Sequence, residues 1–258
     1  GYKYNGFYTA YDETTNPNGE LIWNGKQWAL RDGIKDNSYK TIGGKLMPGV
    51  IKLETDENGN AVKKRLGNTV APWQGGFGIN ATFHGFDASV FCNYSFGNKI
   101  VNGTKLASSF YQGSRKGYNL NNDFINRYTC VDPATGVNLT KPSSTVIAQY
   151  GGIENIYNTL NAINANASVF NPCVTGTMSI TDYAVEDGSF LRLKTVELGY
   201  TFSQKALKKI GVQSLRLYLT GSNLLTFSKF KLWDAEMGNN GLGYPIQRVY
   251  NLGININF

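Results

Sequence analysis

The chain has 258 residues, of which 41% are hydrophobic and 13% aromatic, and its mean hydropathy is −0.30. A membrane-spanning helix needs about 18 consecutive apolar residues, and the sequence has no such run, so a helical membrane protein is excluded. A transmembrane barrel is not excluded, because only every second residue of its strands faces lipid. The net charge of +7 comes from dispersed basic residues, which form no stripe typical of nucleic-acid binding.

The chain opens on a strand-like segment, predicted as a first strand near 1–10, and a polar loop is predicted near 11–72. No signal peptide starts the chain, and a secreted protein needs one, so we expect the true N-terminus to lie upstream of Gly1. Within the loop, the segment 56–60 has too few correctly spaced oxygen ligands for an EF-hand calcium site. A polar turn is therefore favoured there over a metal site.

A β-hairpin is predicted next, with strands near 73–84 and 86–99. Apolar side chains alternate with small or polar ones along both runs, and only the dipeptide His84-Gly85 interrupts the alternation. So short a connection needs a residue with positive φ, which Gly85 supplies. Each strand is long enough to cross a membrane, since a tilted span needs about 9 to 11 residues.

A long loop is predicted near 100–188, and helical spacing of apolar residues places an amphipathic helix within 151–166. The polar side of this helix lacks Lys and Arg, so we expect it to pack on neighbouring loops and not on a membrane surface. Cys130 and Cys173 lie in the same loop and could either pair or remain free. Cys92 is expected to pack as a small hydrophobic side chain in its strand.

The strand predicted near 189–202 has apolar residues on one side from Val196 to Phe202, and Gly199 leaves room on the other for a bulky side chain. Continued backwards, the same alternation places Arg192 and Lys194 on the apolar side. A basic residue costs about 2 to 4 kcal/mol at the bilayer midplane but about 0 to 1 near its surface. We therefore expect this end of the strand at the outer boundary of the membrane.

Two further strands are predicted near 214–226 and 247–258, joined by a loop near 227–246. The last strand alternates large apolar and small polar residues and ends on an aromatic, as bacterial outer-membrane barrel proteins do. The alternative is an edge strand of a soluble β-sandwich, with Asn on its solvent-exposed face. The proposed C-terminal barrel-assembly signal comprises Tyr250, Leu252, Ile254, Ile256 and Phe258.

About six spans of alternating direction result, with short connections on one side and the long loops on the other. This asymmetry is typical of barrels with short periplasmic turns and long external loops, and it leaves the C-terminus in the periplasm. The polar positions of the strands would face the lumen, most of them as ordinary lining. The candidates are Glu197, Arg216, Tyr218, Asn251, Asn255 and Asn257.

Enzymatic chemistry is not predicted. The sole histidine, His84, lies in a turn, so neither a Ser-His-Asp arrangement nor a histidine metal site can be assembled. The carboxylate pairs belong to loops, and the glycines of 238–243 lack the strand-to-helix context of a phosphate loop. We expect no cofactor and no bound metal.

Several segments of the chain resemble the C-terminal part of the SusC/RagA-type TonB-dependent outer-membrane transporters of Bacteroidota. The most specific is Glu186-Asp-Gly-Ser-Phe-Leu-Arg-Leu-Lys194, followed by Leu198-Gly-Tyr200. The resembling segments, in the order of that family, are Met47–Lys52, Arg65–Asn68, Pro72–Phe77, His84–Ser89, Gly97–Ile100, Asn126–Thr129, Val185–Lys194, Leu198–Tyr200, Ser222–Leu224 and Tyr244–Pro245.

The resemblance implies an all-β fold, in which this chain supplies the C-terminal strands of a plugged barrel of about 22 strands. About six strands cannot close such a barrel, so the chain would be a fragment of it. The plug domain and the segment that contacts TonB lie at the family's N-terminal end and are therefore absent from this chain. The resemblance also implies a SusD-like surface lipoprotein as partner.

The leading hypothesis is an importer that moves oligosaccharides or peptides across the outer membrane, in contact with lipid and with no nucleic-acid partner. A second hypothesis keeps the barrel but makes it a non-transporting scaffold in a larger outer-membrane complex. A third is a secreted, glycan-binding β-sandwich. The barrel hypotheses require Phe77, Val90, Leu217 and Ile254 to lie outside any water-soluble core.

Overall fold

The computed structural model describes residues 1–36, 46–108, 122–173, 180–208, 211–239 and 243–258. These residues divide into two compact units. Unit 1 comprises Gly1–Leu66 and Asn102–Val185, and unit 2 comprises Gly67–Val101 and Glu186–Phe258. None of the helices in these ranges has the length and apolar character needed to cross a membrane.

Unit 1 consists of short elements joined by turns. Antiparallel pairing joins its strands two by two, the first with the fourth and the second with the third. The strands are β1 (Tyr4–Phe7), β2 (Leu21–Trp23), β3 (Trp28–Leu30) and β4 (Ile51–Leu53); the helices are α1 (Gly103–Ser108), α2 (Ser144–Gln149) and α3 (Ile153–Ile163), with 3₁₀ turns at Asn122–Asn126 and Asp182–Ala184.

The apolar stripe of α3 explains its place in the core of unit 1. Ile156, Tyr157 and Leu160 lie on one side of the helix, are buried, and pack with residues of β2 and β3. The amphipathic helix predicted within 151–166 is confirmed, as is its packing on neighbouring loop segments. A second cluster joins β4 to the segment around Phe170.

The expected barrel strand near 1–10 is wrong. β1 has only four residues, and its pairing with β4 shifts register between Tyr4 and Phe7, where Gly6 has a φ of +79°. Beyond it Tyr8 and Ala10, at 1% and 0% exposure, are buried in the core of unit 1. Gly6 breaks the extended run, and the aromatic residues that suggested a strand bury themselves among loop residues instead.

Unit 2 is built on a five-stranded antiparallel sheet in the order β11-β10-β9-β6-β5. Among the described residues the long antiparallel strands thus number five, and not about six. The elements are β5 (Trp73–Phe83), β6 (Phe86–Phe96), β7 (Lys99–Val101), β8 (Val185–Asp187, which begins at the last residue of unit 1), β9 (Phe190–Thr201), α4 (Gln204–Leu207), β10 (Ser214–Ser228), a 3₁₀ turn at Ala235–Met237 and β11 (Val249–Asn257).

The turn between β5 and β6 is as tight as its sequence requires. Phe83 pairs with Phe86, and both intervening residues have positive φ, +49° at His84 and +89° at Gly85. A Cβ atom on Gly85 would lie 2.7 Å from the carbonyl oxygen of Thr201. Glycine is therefore required at this position for both its backbone conformation and its lack of a side chain.

The sheet has two chemically different faces. The register places Phe77, Val90, Leu198, Leu217 and Ile254 on one face, called the apolar face below. The opposite face, called the polar face, carries Asp87, Glu197, Arg216, Tyr218 and Asn251.

The apolar face is exposed and not packed into a core. Its side chains Phe77, Val90, Leu217 and Ile254 are 37% to 58% exposed. In a water-soluble sandwich these positions would be covered by a second sheet, so this alternative is contradicted. An antiparallel sheet whose large hydrophobic side chains point outward fits a bilayer, and the predicted all-β barrel class is confirmed.

A β-bulge at Lys194 corrects the expected position of Arg192. On the β6 side the register shifts between Phe91 and Cys92, and on the β10 side between Ser222 and Leu225. The extra residue in β9 reverses the alternation above it. Arg192 therefore lies opposite Asn93 and Thr226, on the polar face, and the expectation that it points to the apolar side is wrong.

Candidate functional site

The six predicted lining residues share the polar face, where the register places them in adjacent rows. Glu197 on β9 lies opposite Thr220, which in turn lies opposite Asn251 on β11. In the other rows Tyr218 lies opposite Gly199 and Gly253, Arg216 opposite Thr201 and Asn255, and Ser214 opposite Asn257.

Arg216 connects three strands on the polar face. From β10 its Nε donates to Oδ1 of Asp87 on β6 at 3.1 Å, and its Nη2 bonds the other oxygen of that carboxylate. The same Nη2 reaches Oε1 of Glu197 on β9 at 2.6 Å. The bidentate geometry fixes the guanidinium, and the two carboxylates leave the cluster with one surplus negative charge.

Two glycines make room for the large side chains of this face. A Cβ atom on Gly199 would lie 2.6 Å from Arg216 Nη2 and from both carboxylate oxygens of Asp87. A Cβ atom on Gly253 would lie 2.2 Å from Cζ of Tyr218, so that ring lies directly over β11. The room expected beside Gly199 is confirmed, and the side chains that fill it come from β6 and β10.

Asp87 was missed as a member of this site. The alternation of β6 already assigns it to the same side as Ser89 and Asn93. What the sequence does not reveal is its distance from Arg216, which is 129 positions away along the chain. One signal in the sequence could have indicated it. The polar positions of these strands carry few charges, and one basic and two acidic side chains among them suggest an ion-pair cluster.

The asparagines of β11 take part in the same face to different degrees. Asn257 Nδ2 donates to Oγ of Ser214 at 2.9 Å, and Asn251 Nδ2 donates to Oγ1 of Thr220 at 3.4 Å. Asn255 lies opposite Arg216 without belonging to its hydrogen-bond network in the described residues. These bonds tie β10 to β11 by side chains in addition to the backbone ladder.

A second ionic cluster surrounds Arg192, whose exposure is 0%. Its guanidinium bonds Asp234 through Nη2, and its Nη1 lies 3.0 Å from Oε2 of Glu236. Lys194 reaches the other oxygen of Glu236 at 3.5 Å. Because both carboxylates belong to the segment after β10, the cluster holds that segment, residues 229–239, against the sheet.

Apolar contacts reinforce the same attachment. Phe230 and Ala235 of the segment 229–239 are buried with Ile100 and Phe190, and Trp233 packs beside them. Asp234 also begins the 3₁₀ turn, where its Oδ1 accepts a hydrogen bond from the backbone N–H of Glu236 at 3.0 Å. The ion pairs and the small hydrophobic cluster therefore attach the same segment to the sheet, while the two carboxylates stay partly exposed.

Four residues of the proposed assembly signal lie on the exposed apolar face of β11, and Phe258 directly follows the strand. All of them are at least 47% exposed, and Phe258 at 83% is the most exposed. Within the described residues β11 pairs with β10 alone, so its outer edge has backbone groups available for another strand.

Unit 1 carries carboxylates whose role is to hold turns. Oδ1 of Asp12 accepts bonds from the backbone N–H groups of Thr14 and Thr15 at 3.0 and 2.7 Å, and from both hydroxyls. The hydroxyl of Thr14 contributes most to lowering the pKa of Asp12 to about 2. Asp56 likewise accepts backbone bonds from Asn58 and Asn60, so the polar turn expected at 56–60 is confirmed.

The three cysteines are all free thiols. Cys130 is buried, donates to the carbonyl oxygen of Pro48 and accepts from Nδ2 of Asn171. Burial raises the pKa of Cys130 to about 11, which keeps it protonated and unreactive. Cys92 is half-buried within β6.

The geometry defines a class of protein. An antiparallel sheet with lipid-compatible side chains on one face, and fixed charges and amides on the other, is a section of the wall of a transmembrane β-barrel. Charges such as those of Arg216 and Asp87 are tolerated in such a wall only where they face a lumen or the interior of the protein.

Comparison with known proteins narrows this class. No family model matches the chain. It is 27% identical over 236 residues, 84% of its length, to TonB-dependent receptor P3 of Formosa agariphila, and 24% identical over 238 residues to TonB-dependent receptor P39 of the same organism. A shorter match of 98 residues, 33% of the chain, is 43% identical to TonB-dependent receptor P26.

Solved structures give the same fold. The chain is covered completely by a chain from the structure of the RagAB peptide importer in its open-open state, with a TM-score of 0.58 and 18% identity. The closed-closed state of the same importer matches with a TM-score of 0.57 and 20% identity. The chain covers 20% of receptor P3 and 22% of the matched RagAB chains, so it spans about a fifth of these relatives.

The resemblance to SusC/RagA-type TonB-dependent transporters is confirmed by these matches. The relatives of the chain are TonB-dependent receptors, and its fold matches that of about a fifth of a chain of the RagAB importer.

Proposed function

We propose that this chain is the C-terminal part of the wall of an outer-membrane, TonB-dependent nutrient importer of the SusC type. The importer moves oligosaccharides or peptides across the outer membrane together with a SusD-like surface lipoprotein. The observation that carries the proposal is the two-faced sheet of unit 2, with exposed Phe77, Leu217 and Ile254 on one face and the Arg216 cluster on the other. The TonB-dependent relatives support TonB as the source of energy for this import.

In this proposal the apolar face contacts lipid and the polar face lines the lumen. Glu197, Arg216, Tyr218, Asn251, Asn255 and Asn257 then belong to the lumen wall. Tyr250, Leu252, Ile254, Ile256 and Phe258 present the assembly signal to lipid and to the barrel-inserting machinery. The charge cluster costs little in such a place, because Arg216, Asp87 and Glu197 satisfy one another while remaining partly solvated.

The proposal also assigns sides to the connections. The turn at His84-Gly85 and the connector that contains α4 would lie in the periplasm, together with the C-terminus. The loops near 11–72, 100–188 and 227–246 would lie outside the cell, where the lipoprotein and the substrate meet the barrel. TonB would act through the N-terminal part of the whole protein.

Single cysteines at neighbouring positions of β11 test which face meets lipid. In a background without the native cysteines, Ile254→Cys and Asn255→Cys each receive a fluorescent label, and quenching by brominated lipid is measured in vesicles. We expect strong quenching at 254 and weak quenching at 255. Equal quenching at the two positions would contradict the barrel orientation.

Topology is tested in intact cells with a membrane-impermeant maleimide. We expect Asn58→Cys to be labelled, because it lies in a proposed external loop, and Lys205→Cys to be protected until the outer membrane is permeabilised. Both positions are exposed in the folded chain, so a difference in labelling reports location and not burial. The reverse pattern would overturn the proposed orientation.

Transport is tested by deleting the gene of the whole protein and measuring uptake of labelled oligosaccharide and peptide pools. We expect uptake of one pool to be lost, to return on complementation, and to require TonB. We also expect a surface lipoprotein to co-purify with the barrel. Normal uptake in the deletion strain, with other outer-membrane proteins co-purifying, would favour the scaffold hypothesis instead.

A further inference from the structure

Unit 1 contains a cleft of about 310 Å³ beside the β2–β3 hairpin. Its walls include Trp23, Lys26 and Trp28 from the hairpin, Met47 from the segment before β4, and Lys141 from the segment before α2. This volume lies at the lower end of the range of small-molecule sites, about 300 to 1,000 Å³. Polar and apolar side chains share the lining about equally, so a ligand that carries both kinds of surface would match it.

The cleft is rigid. Oδ1 of Asn24 accepts hydrogen bonds from the backbone N–H groups of Lys26 and Gln27 at 3.0 and 2.9 Å, which fixes the hairpin turn. Nε1 of Trp28 donates to the carbonyl oxygen of Thr140 at 2.8 Å, which joins the hairpin to the opposite wall. A ligand that enters the cleft therefore meets walls that are already in place, and little ordering entropy is lost.

One wall of the cleft is an aromatic surface. The rings of Trp23 and Trp28 meet edge to face, with centroids 5.7 Å apart, and Trp28 continues into the core through Tyr157. Trp28 is buried, whereas Trp23 is half-buried. The indole of Trp23 thus packs against Trp28, and its exposed part can contact a flat, weakly polar ligand in the cleft.

The charge of the cleft has a single sign. Lys26 and Lys141 are exposed, and neither forms an ion pair with a carboxylate among the described residues. Among the described residues, none of those that line the cleft is Asp or Glu. Two exposed ammonium groups that form no ion pair with the described residues, next to an indole, favour an anion that carries a ring.

We propose that this cleft binds an acidic sugar residue of an oligosaccharide. The ring of the sugar lies against the indole of Trp23, and its carboxylate pairs with the ammonium groups of Lys26 and Lys141. The side chains of Gln27 and Thr140 supply a donor and acceptors for the sugar hydroxyls. The proposal rests on the proposed function, since it names the substrate class of an importer whose loops meet substrate.

An acidic sugar fits these walls better than an acidic peptide does. The carboxylate of an aspartate or glutamate side chain sits on a flexible chain without a ring, so the indole surface would contribute little. A pyranose has a flat apolar side, hydroxyls around its edge and, in a uronate, a carboxylate fixed to the ring. These three features match the indole, the amide and hydroxyl groups, and the two lysines respectively.

The test compares two ligands and two variants in the whole purified protein in detergent. The ligands are an oligogalacturonate and its methyl ester, which has the same sugar chain but carries a neutral methyl ester in place of each carboxylate. The cleft variant is Lys26→Gln/Lys141→Gln, and the control is Lys205→Gln/Lys231→Gln, which removes two exposed lysines of unit 2. Binding is measured by calorimetry and by the change in tryptophan fluorescence.

We expect the acid to bind more tightly than its ester, and the cleft variant to lose about tenfold in affinity, since each partly exposed ion pair contributes up to about fivefold. The control variant should bind like the natural protein. Trp23→Phe, which keeps a ring packed on Trp28, should weaken the binding of both acid and ester. Equal affinity of the natural protein and the cleft variant, or tighter binding of an acidic peptide, would overturn the inference.

The importer proposal is tested separately from the inference about the cleft. If deletion of the gene leaves uptake unchanged, the importer proposal fails whatever the cleft binds. If uptake depends on the protein but the cleft variant binds and transports like the control, only the inference about acidic sugars is lost.

Discussion

Arg192 allows the sharpest test of how unit 2 is held together. The substitution Arg192→Met keeps the long side chain but removes the charge that the carboxylates of Asp234 and Glu236 face. Arg192 is fully buried, whereas the carboxylate side chains are 18% and 30% exposed, and Glu236 keeps Lys194 as a partner. The orphaned acids therefore regain part of their hydration.

Breaking a buried ion pair by removing one partner costs about 3 to 5 kcal/mol. The partial exposure of both acids places this case at the lower end, about 3 kcal/mol. The loss should fall mainly on the attachment of the segment 229–239 and not on the sheet, whose backbone ladder is unchanged. We therefore expect the segment to open locally while the barrel remains assembled.

Hydrogen–deuterium exchange measures this opening directly. A loss of about 3 kcal/mol corresponds to exchange about 100-fold faster for the protected amides of 229–239, because each 1.4 kcal/mol is a factor of ten. Lys231→Met, which alters an exposed lysine of the same segment, should leave exchange unchanged. If Arg192→Met exchanges at the natural rate, the buried ion pair does not hold this segment and the reasoning is refuted.

Three further predictions concern the sheet and unit 1. Leu252→Arg should lower barrel stability by about 2 to 4 kcal/mol, and Asn251→Arg by much less, as measured by unfolding in vesicles, because only the first places a charge in lipid. Gly199→Val should cost about 1 to 3 kcal/mol through collision with the Arg216 cluster, seen as a lower temperature of gel-mobility change, whereas Gly103→Ala, which meets open space, should have little effect. The pKa of Asp12 is about 2 in the folded chain and 3.8 ordinarily, so its contribution to stability is full above about pH 4 and is lost as the pH falls towards 2. Thermal unfolding followed by fluorescence over that range should show a smaller pH dependence in Asp12→Asn, and an unchanged dependence would contradict this role.

The strands of unit 2 were predictable where the alternation is unbroken. β5 and β6 follow from their two-residue period and from Gly85, because both the pleat and the turn are local properties of the chain. β9 was predictable only below Lys194. The bulge there leaves no mark in the sequence, since Arg-Leu-Lys-Thr-Val reads as regular alternation in either register, and Arg192 was therefore placed on the wrong side.

Features that depend on distant residues were not predictable. The segment 1–10 looks like a strand, but the pairing of β1 with β4 and the burial of Tyr8 are decided by tertiary contacts. The contact of Asp87 with Arg216 requires the order and register of three strands. The cleft of unit 1 joins Trp28 to Thr140 across 112 positions, so no local pattern could indicate it.

The side chains over Gly199 and Gly253 have a consequence for how the sheet assembles. Strands of alternating character can shift by two residues relative to each other and still keep their apolar side chains on the same face. Alternation alone therefore does not disfavour such errors of register. Here a slip of β11 by two positions would set Tyr218 against Asn251 or Asn255 in place of Gly253, and a slip of β9 would remove the gap through which Arg216 reaches Asp87. Only the observed alignment places a glycine beneath each of these large side chains. The two glycines therefore disfavour strand pairings that are shifted by two residues.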